Sequence, residues 1–177
     1  MQRIYLDNAA TTQIDPEVLD AMLPYMREFY GNPSSIHSFG RQTRAGIEKA
    51  RRTVAKLLNC SPGEIIFTSG GTEADNMALR CAVRDLGVRT IISSLIEHHA
   101  VELTVNELDR CSEAKAIMVR VQADGSVDLE HLEELLRNNK NVLVSLMHAN
   151  NEIGTRNDLQ AIGDLCRKHN AIFHSDT

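Results

Sequence analysis

Asn141-Val142-Leu143-Val144-Ser145-Leu146-Met147 is a continuous apolar run, and it ends in His148-Ala149-Asn150-Asn151-Glu152-Ile153-Gly154. An apolar run without alternation is the pattern of a strand covered on both faces, as in a parallel sheet between two helical layers. The neighbours support that reading. Downstream, Asn157-Asp158 starts a helix to His169, and Ala171-Ile172-Phe173-His174-Ser175 is the next strand. Upstream, Asp128 caps a helix over Leu129 to Arg137, and Lys115 to Arg120 is a strand. Before these come a helix from His99 to Arg110, a strand Thr90-Ile91-Ile92-Ser93-Ser94, and a helix through Leu86 that opens at Ser69-Gly70-Gly71-Thr72. Glu64-Ile65-Ile66-Phe67-Thr68 reads as the first strand of the series. Strands alternating with helices predict an α/β fold, a mostly parallel sheet with helices on both faces.

The first third of the chain is helical. Asp15-Pro16 opens a helix, Asp as N-cap and Pro at the first helical position. Val18, Leu19, Met22, Met26 and Phe29 follow at helical spacing, with Pro24 as an expected kink or break. Gly31-Asn32-Pro33-Ser34-Ser35 is a turn-rich loop. A longer helix spans Ser38 to Leu58, with Ile47, Ala50, Val54 and Leu57 as its apolar stripe. Arg41, Arg44, Lys49, Arg51, Arg52 and Lys56 form its solvated face.

Composition narrows the function classes. Across 177 residues, 19 Lys and Arg face 24 Asp and Glu, a net charge of −5, with 42% hydrophobic residues. Such a chain is globular rather than collagenous, coiled-coil or disordered, and its length suits one domain or a piece of a larger one. Its mild acidity argues against a nucleic-acid partner, which demands a strongly positive face. No apolar run is long enough for a membrane span and the start does not read as a signal peptide, so a cytoplasmic protein is expected. Cys60, Cys81, Cys111 and Cys166 form no CxxC clip and read as reduced, mostly buried thiols without a catalytic part.

In a parallel sheet the site lies at the carboxyl ends of the strands. There the sequence places Thr68-Ser69-Gly70-Gly71-Thr72-Glu73, Glu97-His98-His99, the His148–Gly154 segment and His174-Ser175-Asp176. The first is a glycine turn entering a helix, suited to a phosphate by its N–H groups, the helix dipole and the Thr72 hydroxyl. It lacks the Gly-Lys-Ser/Thr of a Walker loop. Glu73 and Asp75, in the first turn, satisfy the dipole without any ligand. Each cluster alone is unremarkable: a helix start, a packing histidine, an Asn-Asn turn. Together they supply a phosphate cradle, an imidazole, an amide and a carboxylate. Pyridoxal 5'-phosphate needs that set: an anion site, a donor at its phenolic oxygen, a flat group over the ring and a carboxylate at the pyridine nitrogen.

The chain resembles the cysteine desulfurases of the class V aminotransferase group. The resemblance is carried by Leu6-Asp7-Asn8-Ala9-Ala10-Thr11-Thr12, Gly31–Ser35, Thr68–Glu73, Glu97-His98-His99 and Asn150-Asn151-Glu152-Ile153-Gly154, in the family's order. The Asn-Asn-Glu-Ile-Gly and Gly-Asn-Pro-Ser-Ser stretches are similar to the branch that serves iron–sulfur cluster assembly rather than the one nearer selenocysteine lyases. The resemblance implies the large domain of a fold type I pyridoxal-phosphate-dependent transferase. Residues 1–14 would be an N-terminal segment near the active site, and residues 15–177 the N-terminal part of the cofactor-binding domain. It further implies that Gly71 and Thr72 hold the phosphate, that His98 stacks on the ring and helps move protons, that Asn151 bonds the phenolic oxygen and that Asp176 pairs with the pyridine nitrogen. The implied reaction converts L-cysteine to L-alanine and an enzyme persulfide, in a homodimer that passes sulfur to an iron–sulfur scaffold or acceptor protein.

In the family a Gln contact, the Schiff-base lysine, a substrate-binding arginine and the persulfide cysteine follow the strand carrying the aspartate. Lys49, Lys56, Lys115, Lys140 and Lys168 all precede that strand here, and none matches the motif position. The expectation is therefore an incomplete large domain, cut after a sheet strand. Alone it would be inactive and prone to associate, and it would need the C-terminal half in cis or as another chain. Two other readings are open: a non-catalytic binding or assembly module that keeps the cofactor-site architecture, and a metal-dependent hydrolase using His98, His99, His148, His174 and Asp176. No HExxH pattern supports the latter.

Overall fold

Apolar runs become interior strands here because both of their faces are covered. In the computed structural model, which describes residues 3–177, the strands are β1 (Thr90–Ser93), β2 (Lys115–Met118), β3 (Val142–Ser145) and β4 (Ile172–His174). All pairings are parallel, in the order β2-β1-β3-β4, with Ile91 opposite Leu143 and Val144 opposite Phe173. Met1 and Gln2, the start of the expected 1–14 segment, lie outside the described residues.

The chain divides into two compact units, one ending at Phe67 and the other spanning Thr68–Thr177. The second unit holds the sheet. Every residue of β1 and β3 is buried, and alternate side chains point to opposite layers. Ile91 and Leu143 pack with Leu79, Val83, Val101, Val105 and Leu108 of helices α3 (Gly71–Asp85) and α4 (His99–Arg110). Ile92, Val142 and Val144 pack with Leu132, Leu136, Ile162 and Cys166 of α5 (Leu129–Asn138) and α6 (Leu159–Lys168). Caps fix the starts of the latter two: Asp128 accepts from His131 N–H at 3.0 Å, and Asp158 from Ala161 N–H at 3.0 Å.

The first unit contains α1 (Pro16–Arg27) and α2 (Ser38–Leu57). Asp15 accepts from Glu17 N–H at 2.8 Å, so the Asp-Pro start forms as expected. Pro24 lies inside α1 rather than ending it, and Glu28 and Phe29 N–H both donate to its carbonyl. The apolar faces of these helices are only partly covered: α1 buries no residue and Leu57 is 80% exposed. Five of the six basic residues expected on the solvated face of α2 are exposed. Arg51 instead lies 4.9 Å over the Phe67 ring.

Two expectations are corrected. Glu64–Thr68 is not a strand: Pro62–Glu64 forms a short 3-10 turn, and the residues after it enter no ladder among the described residues. A β-rich run without a partner strand cannot satisfy its backbone in a sheet. Of the four thiols only Cys166 is buried, where burial pushes it up to about 11; Cys111 is exposed.

Candidate functional site

Helix α3 starts without a side-chain cap at Gly70. The first intrahelical bond runs from Ala74 N–H to the Gly70 carbonyl at 3.2 Å, so the Gly71, Thr72 and Glu73 N–H groups have no intrahelical acceptor. A Cβ at Gly70 or Gly71 would meet nothing within 4 Å. The turn therefore presents open backbone donors at the positive end of a dipole, which suits an anion. Glu73 does not occupy it: its carboxylate folds back to accept from Ser69 N–H at 2.7 Å and Ser69 Oγ at 2.6 Å. Asp75 differs from the expected dipole partner. It is buried inside the unit at 5% exposure.

The chain runs from β1 to the edge strand β2 and returns to β3 on the other side of β1. The order thus reverses between β1 and β3, the position where open α/β sheets bind ligands. The loops after these two strands are pinned together. Glu97 accepts from Ser94 Oγ at 2.6 Å and from Met147 N–H at 2.9 Å, and Asn150 Nδ2 donates to the Ile96 carbonyl at 2.7 Å. Asn150 Oδ1 also accepts from Glu152 and Ile153 N–H at 2.8 and 3.0 Å, so this buried amide builds the turn. Asn151, beside it, is exposed and free of such duties apart from a 3.3 Å contact to Glu152. The turn is backed by a second one. Gly125, at φ +83°, faces Ile153, and the Thr155 hydroxyl donates to the Asp124 carbonyl.

His98 is the N-cap of α4, its Nδ1 accepting from Ala100 N–H at 3.1 Å, which leaves its proton on Nε2. It stands between two clefts. Thr72 and His98 share one of about 250 Å³, and His98 and Asn151 share another of about 400 Å³. Gly71 is adjacent to Thr72 at the mouth of α3. Asp176 is half-buried after β4, its carbonyl accepting from His148 N–H at 2.9 Å. The structure thus brings Thr72 to His98 and His98 to Asn151. It sets Asp176 in the electrostatic reach of Asp75, Glu97 and His174.

That acidic group is largely invisible in the sequence. Burial pushes the Glu97 carboxyl up to about 7 despite its two hydrogen bonds, with Asp176 and Asp75 adding to the rise. Burial also raises Asp75, reinforced by Asp176 and opposed by His174 and His98. Burial lowers His174 against the pull of both aspartates. The only signal for Asp75 is its place three residues after Thr72, on the same helix face; nothing in the sequence marks Glu97 as buried. Among the described residues no three His, Cys, Asp or Glu side chains are grouped to hold a metal ion. No helix among them is long and apolar enough to cross a membrane.

Residues 4–177 match the sequence profile of the aminotransferase class-V family. Cysteine desulfurase IscS of Dictyoglomus turgidum is 43% identical over 177 residues, 99% of this chain and 44% of that protein. Among solved structures, a NifS-like protein superposes with a TM-score of 0.94 at 41% identity, over 99% of this chain and 49% of that one. SspA in complex with cysteine gives 0.87 at 31% identity, over 96% and 49%. The chain thus spans about half the length of the relatives it matches. With a profile match across nearly every residue and a superposition covering 99% of it, this chain belongs to the class-V aminotransferase family.

Proposed function

We propose that this chain forms one half of a cysteine desulfurase, a pyridoxal-phosphate-dependent transferase that takes sulfur from L-cysteine and leaves L-alanine. The observation that carries the reading is the reversal of strand order between β1 and β3, with an open α3 N-terminus, His98 and Asn151 around it. The residues present fit the cofactor. The open space at Gly70 and Gly71 admits a phosphate to bare N–H groups, and the exposed His98 and Asn151 are free to meet a ring.

Gly71 and Thr72 would bind the phosphate through backbone N–H groups and a hydroxyl. His98 would lie against the ring, with its Nε2 placed to exchange a proton with the substrate. Asn151 would donate to the phenolic oxygen, and Asp176 would hold a proton on the pyridine nitrogen. When bound, the protonated pyridine serves as an electron sink for a carbanion at the substrate carbon. Buried Glu97 keeps the two loops together through its bonds to Ser94 and Met147. The remaining groups of the reaction, including the lysine and the thiol that accepts sulfur, would come from sequence that the relatives carry beyond the matched half. Homodimerisation, an iron–sulfur scaffold or acceptor protein as partner, and a cytoplasmic setting belong to the same reading.

The test is alanine release from L-cysteine by the purified chain, with and without the complementary half. Activity only with both halves supports the proposal. Cofactor binding without alanine in either case would favour a non-catalytic assembly module, and turnover by the lone chain would refute the division of the site.

A further inference from the structure

Asp75 lies on α3 one turn past the glycine turn, His174 ends β4 and Ser145 ends β3. Ser145 Oγ is 2.9 Å from His174 Nδ1. His174 Nε2 is 3.4 Å from Asp75 Oδ1, a long but direct approach. These groups are shielded: the Asp75 and His174 side chains are 7% and 16% exposed, and Ser145 is fully buried. Burial disfavours an imidazolium at this place. A neutral ring that accepts from the Ser145 hydroxyl at Nδ1 carries its proton on Nε2, facing the Asp75 carboxylate. His174 therefore ties β4 both to its neighbour β3 and to helix α3.

The tie matters because of what stands at each end. Asp176 follows His174 by two residues, just beyond the end of β4. Thr72 precedes Asp75 by three, on the same helix face. β4 has three residues, and among the described residues its strand pairing is to β3. We infer that the Ser145–His174–Asp75 chain is a spacer that sets the separation between the anion-binding turn of α3 and the Asp176 carboxylate. A ligand with a phosphate at one end and a ring nitrogen at the other then engages both ends at once. The inference rests on the cofactor assignment above and deepens it; His174 acts as a positioning residue and touches neither end of the ligand.

Binding both ends of one ligand raises affinity only while the two sites keep the matching span. The experiment is calorimetric titration of the chain assembled with its complementary half, using inorganic phosphate, pyridoxine and pyridoxine 5'-phosphate. The last carries an alcohol in place of the aldehyde and so forms no imines with surface lysines. His174→Ala is expected to weaken pyridoxine 5'-phosphate about tenfold or more and to leave inorganic phosphate within about twofold, since only the span is lost. His174→Gln, whose amide accepts from Ser145 and donates to Asp75, recovers most of the difference. Asp75→Asn, close in shape, shows a smaller loss in the same direction and carries the test if His174→Ala does not fold. Equal weakening of phosphate and pyridoxine 5'-phosphate, or of neither, overturns the spacer while leaving the cofactor assignment standing. Unsubstituted protein that binds none of the three probes overturns the cofactor assignment and the spacer with it.

Discussion

Replacing Glu97 by Gln should stabilise this protein at neutral and alkaline pH and change little in acid. Glu97 sits at 9% exposure, where its oxygens meet Ser94 Oγ and Met147 N–H. Its carboxyl rises from 4.5 to about 7, chiefly by burial. The folded state therefore holds this proton more tightly than the unfolded chain, by roughly 3 kcal/mol at about 1.4 kcal/mol per unit. The sign follows from linkage. The contribution of the protonated carboxyl is complete below pH 4.5, declines as pH rises, and is lost above about 7. Gln reproduces the protonated form. Its carbonyl accepts from Met147 N–H, and its amide donates to Ser94 Oγ, which reverses its role. Urea unfolding followed by circular dichroism at pH 5 and pH 8 checks this. Glu97→Gln should lie within about 1 kcal/mol of the unsubstituted protein at pH 5 and exceed it by about 2–3 kcal/mol at pH 8. A variant that is equally or less stable at pH 8 would refute the account of Glu97 as a buried acid.

Adjacent asparagines should behave oppositely. Asn150→Ala strips the acceptor from Glu152 and Ile153 N–H and should cost about 1–3 kcal/mol in the same unfolding assay. Asn151→Ala, at an exposed position, should stay within about 0.5 kcal/mol. Gly125→Ala forces an alanine into the left-handed region at φ +83°, with its Cβ against Ile153 Cδ1; a lowered melting temperature and shifted amide resonances in residues 150–155 are expected. Thr72→Ala should weaken the cofactor by about 1.5–3 kcal/mol, read as a dissociation constant, with stability unchanged. Asp176→Asn in the completed enzyme should retain fold and phosphate contacts yet lower turnover by orders of magnitude, and near-normal turnover would contradict its role.

Much of the fold was legible in the linear pattern because the signals were local. The buried runs at Thr90–Ser93 and Val142–Ser145, and the caps at Asp15, Asp128 and Asp158, each depend on a few neighbouring residues. Where a signal depended on a distant partner, it failed. Among the described residues Ile65–Phe67 has strand composition but no strand beside it, and the apolar faces of α1 and α2 look like core yet stay largely open. The site divides the same way. The helix-start turn and the polar clusters after the strands are visible in composition and spacing, whereas the choice of Gly71, Thr72, His98, Asn151 and Asp176 within them came from the family resemblance. Which of two adjacent asparagines builds the turn, and which carboxylates are buried, depends on how loops some 50 residues apart in the chain lie against each other. Hydrogen bonding and desolvation are properties of that three-dimensional neighbourhood, and only the packing of β1, β3 and β4 under their helices turned Asp75, Glu97 and His174 into a single coupled group.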